Sequence, residues 1–436
     1  MTRMRRIALV WILLSSGISI WWGLSVGQTK NWWVDFKAVY YGTRCLLEHH
    51  NPYNVSELES VYRADGGERP GEKLSEHQAV VLYVNVPTAF IFVAPFAMLP
   101  WGVSHWLWFA CIAGIYLLAV LLIWSVGARY SSDVSFLLTL VLLFNSLSFF
   151  VAGNTAGIVV GLCVVAVWCF LEERFVLAGV LCLALSLAIK PHDTGFVWLY
   201  FVLAGGVNRK RALQSLLITT VMGLSACLWL SHVAPHWIAD WQSNLATISA
   251  PGGINEPGPS SLTGRSASTV VDLQAAISIF RDDPRFYNPA SYLVCGALLL
   301  LWSARAYWTR FSQPKAWLAL ASVSALTMLV TYHRPWDAKL IMLAIPACAM
   351  IWAKGGPARW PALLVTAAGV IFTGDYTLAI LSMISDNLHI NTTGIFGKIL
   401  TVMLIRPASL ALLVMGVFYL WLFLRRTAPD PVSEPG

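Results

Sequence analysis

The sequence predicts an all-α, polytopic membrane protein of about twelve transmembrane helices, with additional helices at the extracytoplasmic membrane surface. Three observations carry that prediction. Of 436 residues, 57% are hydrophobic and only 12% charged, with a mean hydropathy of +0.66, whereas soluble domains run near 45–50% apolar and about 25% charged. Apolar runs of membrane-crossing length recur between Ile7 and Leu424. Basic residues punctuate short loops, at Arg3, Arg5 and Arg6, at Arg209, Lys210 and Arg211, and at Arg425 and Arg426, as cytoplasmic membrane loops do. The same composition excludes a disordered chain. The net charge of +7 is spread over loops, so it reads as topology signal and not as a nucleic-acid surface.

The chain divides into a cytoplasmic N-terminus (1–6), a membrane domain (7–424) that includes the extracytoplasmic loops 28–82 and 232–289, and a cytoplasmic tail (425–436). The first apolar run, Ile7 to about Val26, follows three arginines. Trp21 and Trp22 stand where a small-residue cleavage site would be, so the run reads as an uncleaved first span. A helical patch follows from Asp35 to His50, mixing Phe36, Val39, Tyr40, Leu46 and Leu47 with charged groups, and ends at Asn51-Pro52-Tyr53. It is predicted to lie along the membrane surface. Further candidate spans are 83–99, 102–126, 134–150, 155–171, 175–190, 193–206, 211–231, 290–304, 316–332, 337–353, 359–379 and 397–424. With the first these make thirteen, but basic residues at both termini require an even number. Twelve crossings are therefore expected, with 83–99 (broken by Pro87 and Pro95) and 193–206 the weakest candidates; eleven follow if the first region is misread. The long loop from His232 to Pro289, the turn Tyr332 to Asp337 and the loop Asp386 to Thr393 are then expected on the same outer face as the first polar region. Seven of the eight cysteines lie in apolar runs and read as small buried hydrophobes, without metal-ligand spacing.

Several polar residues interrupt this apolar background. Asp35, beside Trp32 and Trp33, is the first carboxylate after the first span; its position suits either a solvated helix cap or a base that meets a membrane-tethered reagent. Asn51-Pro52-Tyr53 reads as a turn, with direct sugar contact as the alternative. Lys190-Pro191-His192-Asp193 separates two apolar runs. Its lysine must snorkel, face protein or meet an anion, and its proline accounts for a break by itself. Asn154 lies at another break, in Gly153-Asn154-Thr155. In Tyr332-His333-Arg334-Pro335-Trp336-Asp337, the arginine offers a rigid donor fork for phosphate and the histidine a proton or hydrogen bond; lipid head groups or a structural pairing with Asp337 would employ the same residues. The long outer loop adds His232, His236, Asp240, Asn244, Arg265 and Asp272-Leu273-Gln274, and its glycines and prolines suit a cover over a chamber. His232 and His236 lack a supporting ligand set for a metal. Asn54-Val55-Ser56 and Asn391-Thr392-Thr393 match glycosylation acceptors, which in a bacterial chain are chance polar sequence.

Val34-Asp35-Phe36 with Tyr40, Asn51-Pro52-Tyr53, Tyr83 with Val86-Pro87-Thr88, Gly153-Asn154-Thr155-Ala156-Gly157 and Lys190-Pro191 together resemble a bacterial polyprenyl-phosphate-dependent glycosyltransferase of the GT-C class, family 87. The resemblance spans roughly residues 7–424. It departs where members often carry Tyr-x-Pro-Pro and Gly-Gln, here Tyr83-Val84-Asn85-Val86-Pro87 and Gly153-Asn154. Related mycobacterial enzymes transfer mannose from polyprenyl-phosphate-mannose to phosphatidylinositol mannosides. The resemblance implies inverting transfer on the extracytoplasmic side of a bacterial plasma membrane, from a polyprenyl-phosphate sugar to a membrane glycolipid acceptor. Asp35 would be the base and His333 a catalytic-side residue. Arg334 and Lys190 would hold the donor phosphate, with Asn51, Tyr53, Asn154 and Gln274 contacting substrate. No cofactor is required by this scheme; a divalent metal is compatible with it but not called for. Another donor sugar, such as arabinose or galacturonate, would preserve the architecture. A lipid transporter or flippase is the rival of a different class, and would call for inverted repeats, which the sequence does not display.

Overall fold

The structure, a computed structural model, describes residues 3–30, 33–68, 71–259, 270–377, 379–381 and 394–425. Asn31, Trp32, Arg265, the Asp386–Thr393 loop, the Asn391 acceptor sequence, Arg426 and the Thr427–Gly436 tail lie outside the described residues. The described chain is all-α, with two short 3-10 segments at Thr327–Leu329 and Asp337–Leu343.

The count of crossings differs from the sequence expectation of about twelve. Among the described residues, six helices are long and apolar enough to cross a membrane: Arg5–Val26, Trp101–Gly127, Ser132–Ala152, Gly206–Val233, Pro284–Trp308 and Pro407–Leu424. A seventh is added if Arg359–Phe372 and Asp375–Leu381, bent by 59°, form one span. The physical reason lies in how the remaining apolar runs are cut. Pro191 opens a new helix directly after Val176–Ile189, Gly205 ends Pro191–Ala204, and Pro407 opens a helix after Ile395–Ile405. The resulting pieces have 10–17 residues, and a 14-residue helix rises about 21 Å, short of the roughly 30 Å hydrocarbon core.

These short helices are apolar on every side because protein surrounds them. In Ala156–Leu171 every residue except Trp168 is buried. The helix packs against Trp101–Gly127 on one side and Val176–Ile189 on the other, and also touches Pro191–Ala204 and the 3-10 segment Asp337–Leu343. By contrast, Leu224 and Leu228 on Gly206–Val233, and Leu293 and Leu300 on Pro284–Trp308, are exposed, as lipid-facing positions of a spanning helix must be. All eight cysteines are free, and five are buried.

The segment expected along the membrane surface is a helix, Val34–Leu47, but it is enclosed by protein. Ten of its residues are buried, including Lys37 and Cys45. Val55–Ala64, Leu74–Val81 and Thr88–Ala97 cover it. Its inner face is aromatic: Phe36 stacks on Trp108 at 4.7 Å and on Trp101 at 5.3 Å between ring centroids.

Gly161 sets how closely Ala156–Leu171 approaches Trp101–Gly127. A methyl group placed there would lie 2.6 Å from Ile115 Cγ2 and 3.1 Å from the Ile115 carbonyl. Backbone cannot yield as a side-chain end can, and overpacking a core costs about 1–3 kcal/mol. Gly161→Val is expected to lower the thermal unfolding midpoint of the detergent-solubilised protein, measured by the loss of soluble, monodisperse protein on heating.

Candidate active site

The site is built where helices stop. Gly153 ends Ser148–Ala152 in the left-handed conformation, at φ 65°, which glycine adopts without the penalty a side chain brings. A Cβ there would also meet Phe36 Cβ at 2.8 Å and Trp33 Cε3 at 3.0 Å. Glycine thus lets this break seat directly against the residues flanking Asp35. Trp108 fastens the junction from the far side, since its indole N–H donates to the Gly153 carbonyl at 2.8 Å while its ring stacks on Phe36.

The next residue, Asn154, is buried and uses both ends of its amide. Its Oδ1 accepts from Ala156 N at 2.7 Å, capping the following helix, and its Nδ2 donates to Asp35 Oδ2 at 2.7 Å. Asp35 itself is only half-buried. Burial pushes its carboxyl above its ordinary value, while the Asn154 hydrogen bond and the charges of Arg334 and Lys190 pull the other way.

The second break, at Lys190-Pro191, and the turn Tyr332–Asp337 meet beside it. Lys190 Nζ donates to Asp337 Oδ1 at 2.6 Å, and Arg334 N donates to Asp337 Oδ2 at 2.8 Å. One buried carboxylate therefore joins a lysine from one break to the main chain of the other. The Arg334 guanidinium lies 5.3 Å from the centroid of Tyr332 and 5.5 Å from that of Trp336, donates to the Tyr332 hydroxyl, and reaches the Ile254 carbonyl at 3.0 Å. The long loop is attached at a second point, where Val271 N donates to the His333 carbonyl at 3.0 Å.

Exposure sorts these residues. Asp35, Lys190 and Arg334 keep part of their surface open, whereas Asn154, Asp193, His333 and Asp337 are buried. His333 does not face Asp35's open side: its Nδ1 is held by the Thr331 carbonyl at 2.8 Å and its Nε2 lies 3.5 Å from Asp193 Oδ1.

The remaining sequence candidates are placed elsewhere. Asn51 accepts from Tyr53 N at 3.0 Å and donates to Asp240 at 2.7 Å. Tyr53 is buried against Tyr83, Phe90 and Trp237, with its hydroxyl donating to the Asn85 carbonyl at 2.7 Å. Asn244 closes this second cluster by donating to the carbonyls of Tyr53 and Tyr83. Gln274 is buried in the short helix Leu273–Ile277, which Asp272 caps by accepting from Ala275 N. In sequence, Asp337 reads only as a structural partner for the His333–Arg334 turn, and Asp193 only as part of the Lys190 break; neither carries a site role there. A signal was present, because each is the acidic residue three places after a selected cation, Lys190 and Arg334.

Residues 83–331 match glycosyltransferase family 87. That is more than half of the chain. The chain belongs to glycosyltransferase family 87. The match covers Asn154, Lys190 and Gln274; Asp35 precedes it and His333 follows it by two positions. Comparison with curated proteins and with solved structures finds no match. Its long apolar helices make it a multi-pass membrane protein, and membership places it in a sugar-transferring family.

Gly153→Ala tests how the site is held. The left-handed backbone alone costs an L residue about 1–2 kcal/mol, and the added methyl pushes on Phe36. The variant is expected to unfold at lower temperature and to lose sugar transfer by more than its folded fraction explains, as read by transfer rate per correctly folded molecule.

Proposed function

We propose that this family 87 member transfers a sugar, mannose first among the candidates, from a polyprenyl-phosphate donor to a hydroxyl of a membrane glycolipid, on the extracytoplasmic face of a bacterial plasma membrane. The observation that carries the reading is the meeting of one half-open carboxylate, Asp35, with two half-open cations, Lys190 and Arg334.

Asp35 takes the proton of the acceptor hydroxyl as its oxygen attacks the anomeric carbon. The bond from that carbon to the phosphate oxygen breaks, and its electron pair leaves with the lipid phosphate. A single base on the side opposite the leaving group inverts the anomeric centre. The departing phosphate carries charge already, so it needs fixed positive groups more than a proton. Arg334 supplies a planar donor fork and Lys190 a point charge with donors beyond the one given to Asp337. Asn154 orients the base by holding Oδ2 and leaving Oδ1 for the acceptor. His333 acts at one remove, through Asp193. Asn51 and Tyr53 hold the wall of the neighbouring cluster, and Gln274 belongs to the loop segment that Val271 fastens to His333.

Because burial raises the Asp35 carboxyl, the active, deprotonated form is lost as pH falls through a value above the ordinary carboxylate range. The acid limb of the kcat/KM profile, which reports the free enzyme, is expected to be shifted upward from an ordinary aspartate, and its loss in Asp35→Asn ties it to this residue. Asp35→Asn keeps an oxygen for Asn154 and removes a charge that burial penalises. It is expected to abolish transfer while melting at or above the wild-type temperature. The assay offers radiolabelled polyprenyl-phosphate sugars and lipid-extract acceptors. Transfer by the variant at the wild-type rate would sink the assignment, and label moved across vesicles without a new glycosidic bond would favour transport.

Lys190→Ala and Arg334→Ala should act on the donor side. Each removes a charge-assisted contact of about 1.5–3 kcal/mol, so kcat/KM for the donor should fall at least tenfold with little change in acceptor KM. Steady-state kinetics with each substrate varied in turn separates the two.

A further inference from the structure

Behind the Lys190–Asp337 pair lies a group of side chains that, in the transfer proposed above, touches neither the acceptor proton nor the donor phosphate. His192 Nε2 is 3.2 Å from Asp193 Oδ1, and His333 Nε2 is 3.5 Å from the same oxygen. The three ligand atoms all lie within 4.8 Å of one another. We propose that His192, Asp193 and His333 form a binding site for a divalent first-row transition metal ion.

Four features argue for a cation between these atoms. The first is orientation. His333 Nδ1 is 2.8 Å from the Thr331 carbonyl, an acceptor with no proton to give, so Nδ1 carries a proton and Nε2 is the nitrogen turned to Asp193, ready to bind an ion once it gives up any proton of its own. A backbone carbonyl holding the far nitrogen is how protein-bound imidazoles are fixed for metal binding. The second is satisfaction: both Asp193 carboxylate oxygens and His333 Nε2 are buried without a hydrogen bond, and the ion pairs Asp193 makes with His192, His333 and Lys190 span 3.2, 3.5 and 3.9 Å, longer than a charge-assisted bond of about 2.7–2.9 Å. The third is spacing. An ion bonded at about 2.0–2.1 Å in tetrahedral geometry holds its ligand atoms roughly 3.3 Å apart, a value that falls between the two measured edges of 3.2 and 3.5 Å. The fourth is access, because Asp193 and His333 are buried while the His192 side chain is 41% exposed, giving an ion one open side for entry and for a fourth ligand.

Two imidazoles and one carboxylate suit Zn²⁺ and its neighbours over Mg²⁺ or Ca²⁺, which take all-oxygen sets. The ammonium of Lys190, 3.9 Å from Asp193 Oδ2, works against a cation but is already bonded to Asp337. The charge count also bears on function, in a step that rests on the glycosyl-transfer reading. Asp35, Asp193 and Asp337 oppose only Lys190 and Arg334 as fixed cations, an unfavourable balance for a phosphate anion. A divalent ion on Asp193 reverses the sign.

The test uses the full-length protein in nanodiscs, stripped with chelator, desalted, and titrated with Zn²⁺ by calorimetry. One saturable site per chain is expected. His192→Ala alters an exposed side chain, and His333→Gln keeps a polar group of similar reach. Each should weaken that site by at least the 10–100-fold seen on losing an outer-shell partner. His77→Ala, in the separate Glu68–Glu72–His77 group, should leave it unchanged. Co²⁺ should give visible absorption that His192→Ala removes. No saturable Zn²⁺ binding would overturn the proposal, as would binding that survives His192→Ala or disappears only in His77→Ala. The titration contains neither donor nor acceptor, so its failure would leave glycosyl transfer standing, and loss of transfer in Asp35→Asn would leave the metal site standing.

Discussion

Asn154 donates to Asp35 with one end of its amide and caps a buried helix with the other. That pair of hydrogen bonds rests on a constraint felt throughout this chain. A helix that stops inside an apolar interior exposes backbone groups that neither lipid nor hydrocarbon side chains can satisfy. At two breaks the protein meets the requirement with a polar side chain. At Gly153-Asn154 the side chain of Asn154 caps, and at Tyr332–Asp337 the carboxylate of Asp337 accepts from Arg334 N. Once such residues are required for folding, they are also available for chemistry. The site gathers at the breaks because polar groups in this interior have nowhere else to be.

The arrangement depends on close approach. Gly153 allows Phe36 and Trp33 to touch the backbone of the break, and Trp108 bonds one and stacks on the other. Trp33 adopts φ 24°, a rare conformation for a bulky residue, and its indole is buried against His105 and Phe109. Such a backbone persists only where surroundings over-determine it. Asp35 is thus held by neighbours on both sides, and its carboxylate stays half-open while nearly everything around it is closed.

Charge is distributed with similar economy. Asp337 satisfies Lys190 and the Arg334 main chain together, which leaves the Arg334 guanidinium between two aromatic faces and turned to the Ile254 carbonyl. Nε and Nη2 are spent on Tyr332 and Ile254, so the donors Arg334 can offer a planar anion are chiefly those of Nη1. The long loop is pinned at Ile254 and at Val271, to Arg334 and to its neighbour His333, so its attachment and the position of Arg334 are coupled.

The residues themselves announced an all-α membrane protein, because composition reports the solvent a chain is built for. They also marked Asp35, Asn154, Lys190 and Arg334, since polar groups in apolar runs stand out whatever their partners. The number of crossings was not legible: a run of apolar residues looks alike whether lipid or protein surrounds it, and only packing revealed that Ala156–Leu171 and its neighbours are wrapped in other helices. Asn51 and Tyr53 looked like Asp35 in sequence, yet folding commits their polar atoms to Asp240 and Asn85. Asp337 was legible only as a structural partner of its own turn, and Asp193 only by its spacing from Lys190. Which carboxylate pairs with which cation depends on bringing residues about 150 positions apart to within 3 Å, and local sequence holds no record of that distance.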